Sequence, residues 1–130
     1  MLRRRTPDPR LEAVRAAFGR VAVHVDAAQR ALLAAVPTSR DPGVPLAQAL
    51  VAFAEELEDA ARAMPAWRDE AAAGMWESCS KALEDARVRA DELRLEGADL
   101  GFEALTLRVG DLLHPLEAFA DAETHLRRRR

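Results

Sequence analysis

Apolar residues in this chain recur at alternating spacings of three and four, in four long stretches separated by proline and glycine. That is the period of an α-helix, and at about 100° per residue it gathers the apolar side chains into one stripe. A helix with a single apolar stripe cannot bury it alone, so the four stretches must pack on one another.

The first stripe is Val14, Phe18, Val21, Val25, Ala28 and Leu32. Its helix begins near Pro7 to Pro9, where Thr6 or Asp8 can cap and a proline at the first helical position loses no hydrogen bond. It stops before Pro37, which restricts Val36. Residues 38–43, Thr-Ser-Arg-Asp-Pro-Gly, form the clearest loop in the chain. The second helix takes Pro45 as its first residue, with the stripe Leu46, Leu50, Phe53, Leu57, Ala60 or Ala61, and Met64. Pro65 closes it and opens the third helix, where Asp69 and Glu70 lie near the positive dipole end. The third stripe is Ala72, Met75, Trp76, Cys79, Leu83, Ala86, Ala90 and Leu93, and Gly97 is a natural C-terminal cap. Asp99 can cap the fourth helix, with the stripe Phe102, Leu105, Val109, Leu112, Leu113, Leu116, Phe119 and Ala120. Gly110 and Pro115 bend or split that helix, because Pro115 removes one backbone donor. The expected spans are 8–36, 45–64, 66–96 and 99–126. Three short connections favour antiparallel neighbours, so the expected fold is an all-α, up-down-up-down four-helix bundle.

Composition agrees with that reading. Alanine (28 residues) and leucine (17) dominate, and isoleucine and tyrosine are missing; helices favour the former and sheets the latter. At 130 residues the chain is one domain with short basic tails at about 1–6 and 127–130. A chain of this length buries about two-thirds of its unfolded surface, enough for a core without covalent staples. The 18 arginines against one lysine, with no isoleucine, asparagine or tyrosine, point to a bacterial source with a GC-rich genome.

Several function classes fall away. Cys79 is the only cysteine, so neither an intramolecular disulfide nor a zinc site with two thiolates can form. No run of about 18 apolar residues occurs, so no transmembrane segment is expected. The early arginines are followed by Pro7, Asp8, Pro9 and Arg10 where a signal peptide needs an apolar stretch, so the expected setting is cytoplasmic. Aromatics at 5% are scarce for a module that stacks nucleobases. There is no Gly-rich phosphate loop, and Ser78 and Ser80 lack a Gly-x-Ser-x-Gly setting. A ferritin-like di-iron site wants Glu-x-x-His on two helices, and that spacing is absent.

The sharpest candidate donors are Asp111, His114, Asp121 and His125, which share one face of the fourth helix. That face is opposite the apolar stripe and the four spread over about 20 Å, so it reads as a solvated polar face. His24, at the margin of the first stripe, reads as a half-buried histidine whose partner the sequence does not identify. Cys79, central in its stripe, reads as a small core hydrophobe. No catalytic, cofactor-binding or metal-ligating residue is assigned, and no cofactor is expected.

Two surface features remain. Trp67, Gly74, Lys81, Val88 and Leu95 are spaced by sevens along the third helix, opposite its core stripe. A second apolar row has no partner within a bundle, so Trp67, Val88 and Leu95 are the candidate interaction surface. The other feature is charge. Residues 11–126 hold ten arginines, one lysine and 21 acids, a net of −10, whereas Arg3, Arg4, Arg5 and Arg10 lie near one end and Arg127, Arg128, Arg129 and Arg130 at the other. In an antiparallel bundle both ends meet at one pole, an acidic barrel with a basic, anion-contacting tip. Nucleic acid is not an expected partner, because the acidic body repels it; an anionic membrane surface suits the tails. The sequence therefore predicts a non-catalytic interaction or adaptor module with a protein partner or self-association. The alternative is a small-molecule or metal-binding bundle, with a cavity lined by Phe53, Met75, Trp76 and Cys79.

Overall fold

The computed structural model describes residues 8–96 and 100–128. Among these, every regular element is helical: α1 (Pro9–Leu33), α2 (Leu46–Ala63), α3 (Ala73–Glu96), α4 (Phe102–Leu113) and α5 (Glu117–Arg128). Three 3-10 turns, Met64–Trp67, Glu70–Ala72 and His114–Leu116, lie between them. Gly97 and Asp99, offered as caps, lie outside the described residues, as does Thr6.

Asp8 caps α1. Its carboxylate accepts from the Arg10 amide at 3.0 Å, ahead of Pro9. The helix ends at Leu33, three residues short of the expected boundary, and residues 34–36 continue as hydrogen-bonded turns. The following loop is held by its own side chains. Thr38 Oγ1 accepts from the Asp41 amide, Asp41 Oδ1 accepts from the Gly43 amide at 2.8 Å, and the Val44 amide donates to Ala34 O at 2.8 Å. Gly43 has φ +82°, and a Cβ there would stand 2.8 Å from the Ala35 carbonyl oxygen. Only glycine meets both conditions without strain. Pro45 is the N-cap of α2 rather than its first residue.

The largest departure from expectation follows α2. Pro65 does not open a helix at residue 66. The chain makes two 3-10 turns separated by an extended Arg68 (φ −70°, ψ 114°), and α3 starts only at Ala73. Trp76 Nε1 donates to Met64 O at 2.8 Å across this corner, and the Arg68 guanidinium lies 4.6 Å from the centre of the Trp76 ring. A second phase change falls at His114–Leu116. Pro115 cannot donate to the α-helical ladder there, and the tighter turn rotates the residues beyond it. Hence Phe119, Ala122 and Leu126 are buried on α5, while Ala120 is exposed. Phe102, expected in the core stripe, is 59% exposed at the start of α4.

One apolar cluster joins all five helices. It contains Val14, Phe18, Val21, Val25, Ala28 and Leu32 of α1, Leu50, Phe53, Leu57 and Ala60 of α2, and Cys79, Leu83, Ala86, Ala90 and Leu93 of α3. Ala17 of α1, Ala82 of α3, Met64, Trp67 and Ala72 of the corner after α2, Val109 and Leu112 of α4, Leu116 of the turn, and Phe119, Ala122 and Leu126 of α5 also belong to it. No buried residue among those described is polar or charged. The first three stripes thus face inward as their spacing predicts. α1 and α2 form the most extensive helix pair. His24 of α1 meets Glu56 of α2 (2.9 Å), while Arg10 near the start of α1 meets Asp69 beyond the end of α2 (2.6 Å), and Ala34 just after α1 meets Val44 just before α2 (2.8 Å).

Candidate functional site

The row of sevens on α3 survives only in part. Gly74, Lys81, Val88 and Leu95 are all exposed, Val88 at 47% and Leu95 at 78%. Trp67 is not with them: it is fully buried, the largest such side chain in the protein as described. The correction has a simple cause. Trp67 stands before the extended Arg68, outside α3, so the phase of that helix does not carry back to it. Its ring packs on Phe18, and its Nε1 faces Met64 Sδ at 3.1 Å.

The polar face of the fourth predicted helix behaves as a solvated surface. Asp111, His114, Asp121 and His125 are all exposed, on α4, the 3-10 turn and α5. They do not converge. His114 Nδ1 lies 3.5 Å from Glu117, within its own segment.

Cys79 is buried among apolar neighbours, its Sγ 3.6 Å from Ala118 O. Burial pushes its thiol up to about 12, and the nearby Asp121 carboxylate adds to the shift. Burial among apolar neighbours thus disfavours the thiolate, the nucleophilic form. Ser78 Oγ donates to Gly74 O at 3.0 Å, back to its own helix.

Of the residues expected around a cavity, Met75 and Trp76 line separate grooves among the described residues. Met75 lines a groove of about 290 Å3 with Ser78, Asp121 and His125, and Trp76 lines another of about 200 Å3 with Met64, Leu83 and Arg87. Phe53 and Cys79 are fully buried and line neither. A larger open groove of about 370 Å3 runs between α1 and α5, over Phe18, Gly19, Ala22 and Leu126 and flanked by Arg15 and Arg127.

At the expected basic tip, Arg3, Arg4, Arg5, Arg129 and Arg130 lie outside the described residues. Arg127 and Arg128 are exposed at the end of α5, where Arg127 pairs with Glu123 at 2.8 Å. Arg15 Nε donates to Leu126 O at 2.8 Å, which seats the end of α5 beside the second turn of α1. Arg10 pairs with Asp69.

The donors that do converge, among the described residues, are His24, Glu56 and Asp59, each half-buried. One ligand atom from each lies within 4.8 Å of the others. His24 comes from α1, and Glu56 and Asp59 lie three apart on α2. His24 Nδ1 stands 2.9 Å from Glu56 Oε2, and Arg62 Nη1 donates to Asp59 Oδ1 at 3.0 Å. Sequence reasoning found the histidine and missed both carboxylates. The available signal was the loop near residue 40, about which residues 24 and 56 are placed symmetrically.

No protein family, curated protein or solved structure matches this chain.

Proposed function

We propose that this protein is a non-catalytic helical bundle that acts through its surface, as an interaction or adaptor module. The observation that carries the reading is the outer face of α3. Leu95 and Val88 are exposed there, one heptad apart, while Cys79, Leu83, Ala86, Ala90 and Leu93 of the same helix fill the core. Two apolar side chains left in water on one face of an otherwise satisfied helix favour a protein partner or a second copy.

The scaffold in this proposal is an antiparallel, up-down-up-down bundle whose fourth helix is bent at Pro115. The contacts Arg10–Asp69, His24–Glu56 and Ala34–Val44 support opposed directions for α1 and α2, since one number rises as the other falls. Leu126 beside Arg15 supports the same relation for α5. No described helix is long and apolar enough to cross a membrane. The arginine-rich, isoleucine-free composition supports a GC-rich bacterial source, and the polar Pro7 to Arg10 stretch after the first arginines supports a cytoplasmic setting. The arginine ends would contact anionic surfaces such as a membrane and, because the acidic body repels it, not nucleic acid.

Light scattering and affinity capture from the native cell test the α3 surface. The full-length protein should self-associate or hold a protein partner, and Val88→Glu with Leu95→Glu should break that association. A monomer whose captured partners are unchanged by the double variant rejects the reading. Deleting residues 1–6 and 127–130 takes the formal net charge from −3 to −10. That deletion should abolish low-salt binding to anionic vesicles while sparing the α3 association. Equal vesicle binding before and after deletion refutes the tip.

A further inference from the structure

We propose that His24, Glu56 and Asp59 form a binding site for a divalent transition-metal ion, with zinc as the reference ion, bridging α1 and α2. The donor set is one imidazole and two carboxylates, whose ligand atoms lie within 4.8 Å of one another. Imidazole suits zinc, copper and nickel, whereas magnesium and calcium take all-oxygen sets. Two carboxylates and a neutral imidazole also match the double charge of the ion.

The His24–Glu56 distance fits. Metal–nitrogen and metal–oxygen bonds of about 2.0–2.2 Å place neighbouring donors about 3.0–3.4 Å apart, from octahedral to tetrahedral. His24 Nδ1 and Glu56 Oε2 already stand 2.9 Å apart. An ion replaces the proton between them, and the pair need open by only a few tenths of an ångström. Asp59 closes the third side. Its Oδ1 accepts from Arg62 at 3.0 Å, an outer contact of the kind that orients a ligating carboxylate.

The backbone beneath the donors is fixed. Val25 follows His24, Leu57 follows Glu56 and Ala60 follows Asp59, and all three neighbours are buried in the core cluster. The donors therefore project from rigid positions on the best-packed helix pair, as a preorganised site requires. All three remain half-exposed, with side-chain exposures of 37%, 33% and 42%, so an ion can enter and water can fill its remaining positions. Glu55, next in sequence to Glu56, adds to the attraction for a cation, whereas Glu58 is paired with Arg62 at 3.3 Å. The site is apart from the apolar row of α3, so the two proposals stand or fall separately.

Titration of the full-length protein with zinc chloride, followed by calorimetry and by thermal melting, tests the site. One ion should bind per chain and raise the melting temperature, as any ligand of the folded state must. His24→Ala and Glu56→Gln should each weaken binding by about tenfold or more. His114→Ala and His125→Ala should leave it unchanged, and magnesium at the same concentration should not compete. Glu56→Gln keeps a hydrogen-bonding oxygen opposite His24, so its metal-free circular dichroism and melt should match those of the parent. In the unaltered protein, zinc should shift the His24 ring resonances before those of His114 and His125. The proposal is overturned if zinc does not bind, if binding persists in His24→Ala and Glu56→Gln, if it follows His114 or His125 instead, or if magnesium displaces it.

Discussion

The Trp67 ring stands edge-on to the Phe18 ring, with centroids 5.0 Å apart and planes at 79°. Phe18 in turn stacks on Phe119 at 6.3 Å and 27°. One phenylalanine of α1 thus ties the corner after α2 to the first turns of α5. Edge-to-face geometry sets the positive rim of one ring against the negative face of the other, adding about 0.5–1.5 kcal/mol to simple burial.

Trp67→Ala should therefore be among the most damaging single changes in the protein. Removing so large a buried ring costs about 3–5 kcal/mol, because the neighbours collapse only partly into the space. Leu95→Ala, on the exposed row, should stay within about 0.5 kcal/mol. Chemical denaturation decides: equal midpoints for the two variants would place Trp67 on the surface.

The facing of α3, α4 and α5 can be ranked in the same way. Leu83 and Phe119 are core residues, and cutting either to Ala should cost about 2–5 kcal/mol. Leu107 is 70% exposed on α4, and its truncation should cost under about 1 kcal/mol. Were Leu107→Ala the worst of the three, the assigned faces would be reversed.

Two glycines should respond to alanine with opposite signs. At Gly43 the left-handed backbone and the Ala35 carbonyl oxygen at 2.8 Å oppose a methyl group. Gly43→Ala should destabilise by about 1–2 kcal/mol or more. Gly19 lies within α1, and an added Cβ meets nothing within 4 Å. Gly19→Ala should stabilise by about 0.5–1 kcal/mol through the entropy of the unfolded chain and helix propensity. Thermal melts of the two variants should move in opposite directions.

The fork between Glu96 and Arg108, at 2.6 and 2.9 Å, joins the end of α3 to α4. Its hydrogen bonds hold the Glu96 carboxyl below its ordinary value of 4.5. The folded value is depressed, so the stabilising contribution is present above 4.5 and disappears as pH falls through the folded value. A carboxyl titration by nuclear magnetic resonance should find the Glu96 midpoint below 4.5, and Arg108→Ala should restore it. High salt should shrink the difference, since the pair is exposed to solvent. A midpoint unmoved by Arg108→Ala would dissolve the pair.

What the sequence determined by itself was local. The stripe Val14 to Leu32, a cap at Thr6 or Asp8, the turn at Thr38 to Gly43 and an interruption near Gly110 or Pro115 each depend on residues a few positions apart, and helical periodicity and proline geometry express them directly. Polar His114 and His125 read as surface for the same reason. The tertiary structure decided what depends on phase and on distance along the chain. An extended Arg68 resets the helical phase, so Trp67 turns from the outer row of α3 into the core, where burial of its large ring outweighs the local pattern. The 3-10 turn at His114–Leu116 likewise leaves Ala120 exposed, against its place in the expected stripe. His24 and Glu56 are 32 residues apart, and nothing in either local pattern names the other; only the packing of α1 on α2 brings their side chains within 2.9 Å.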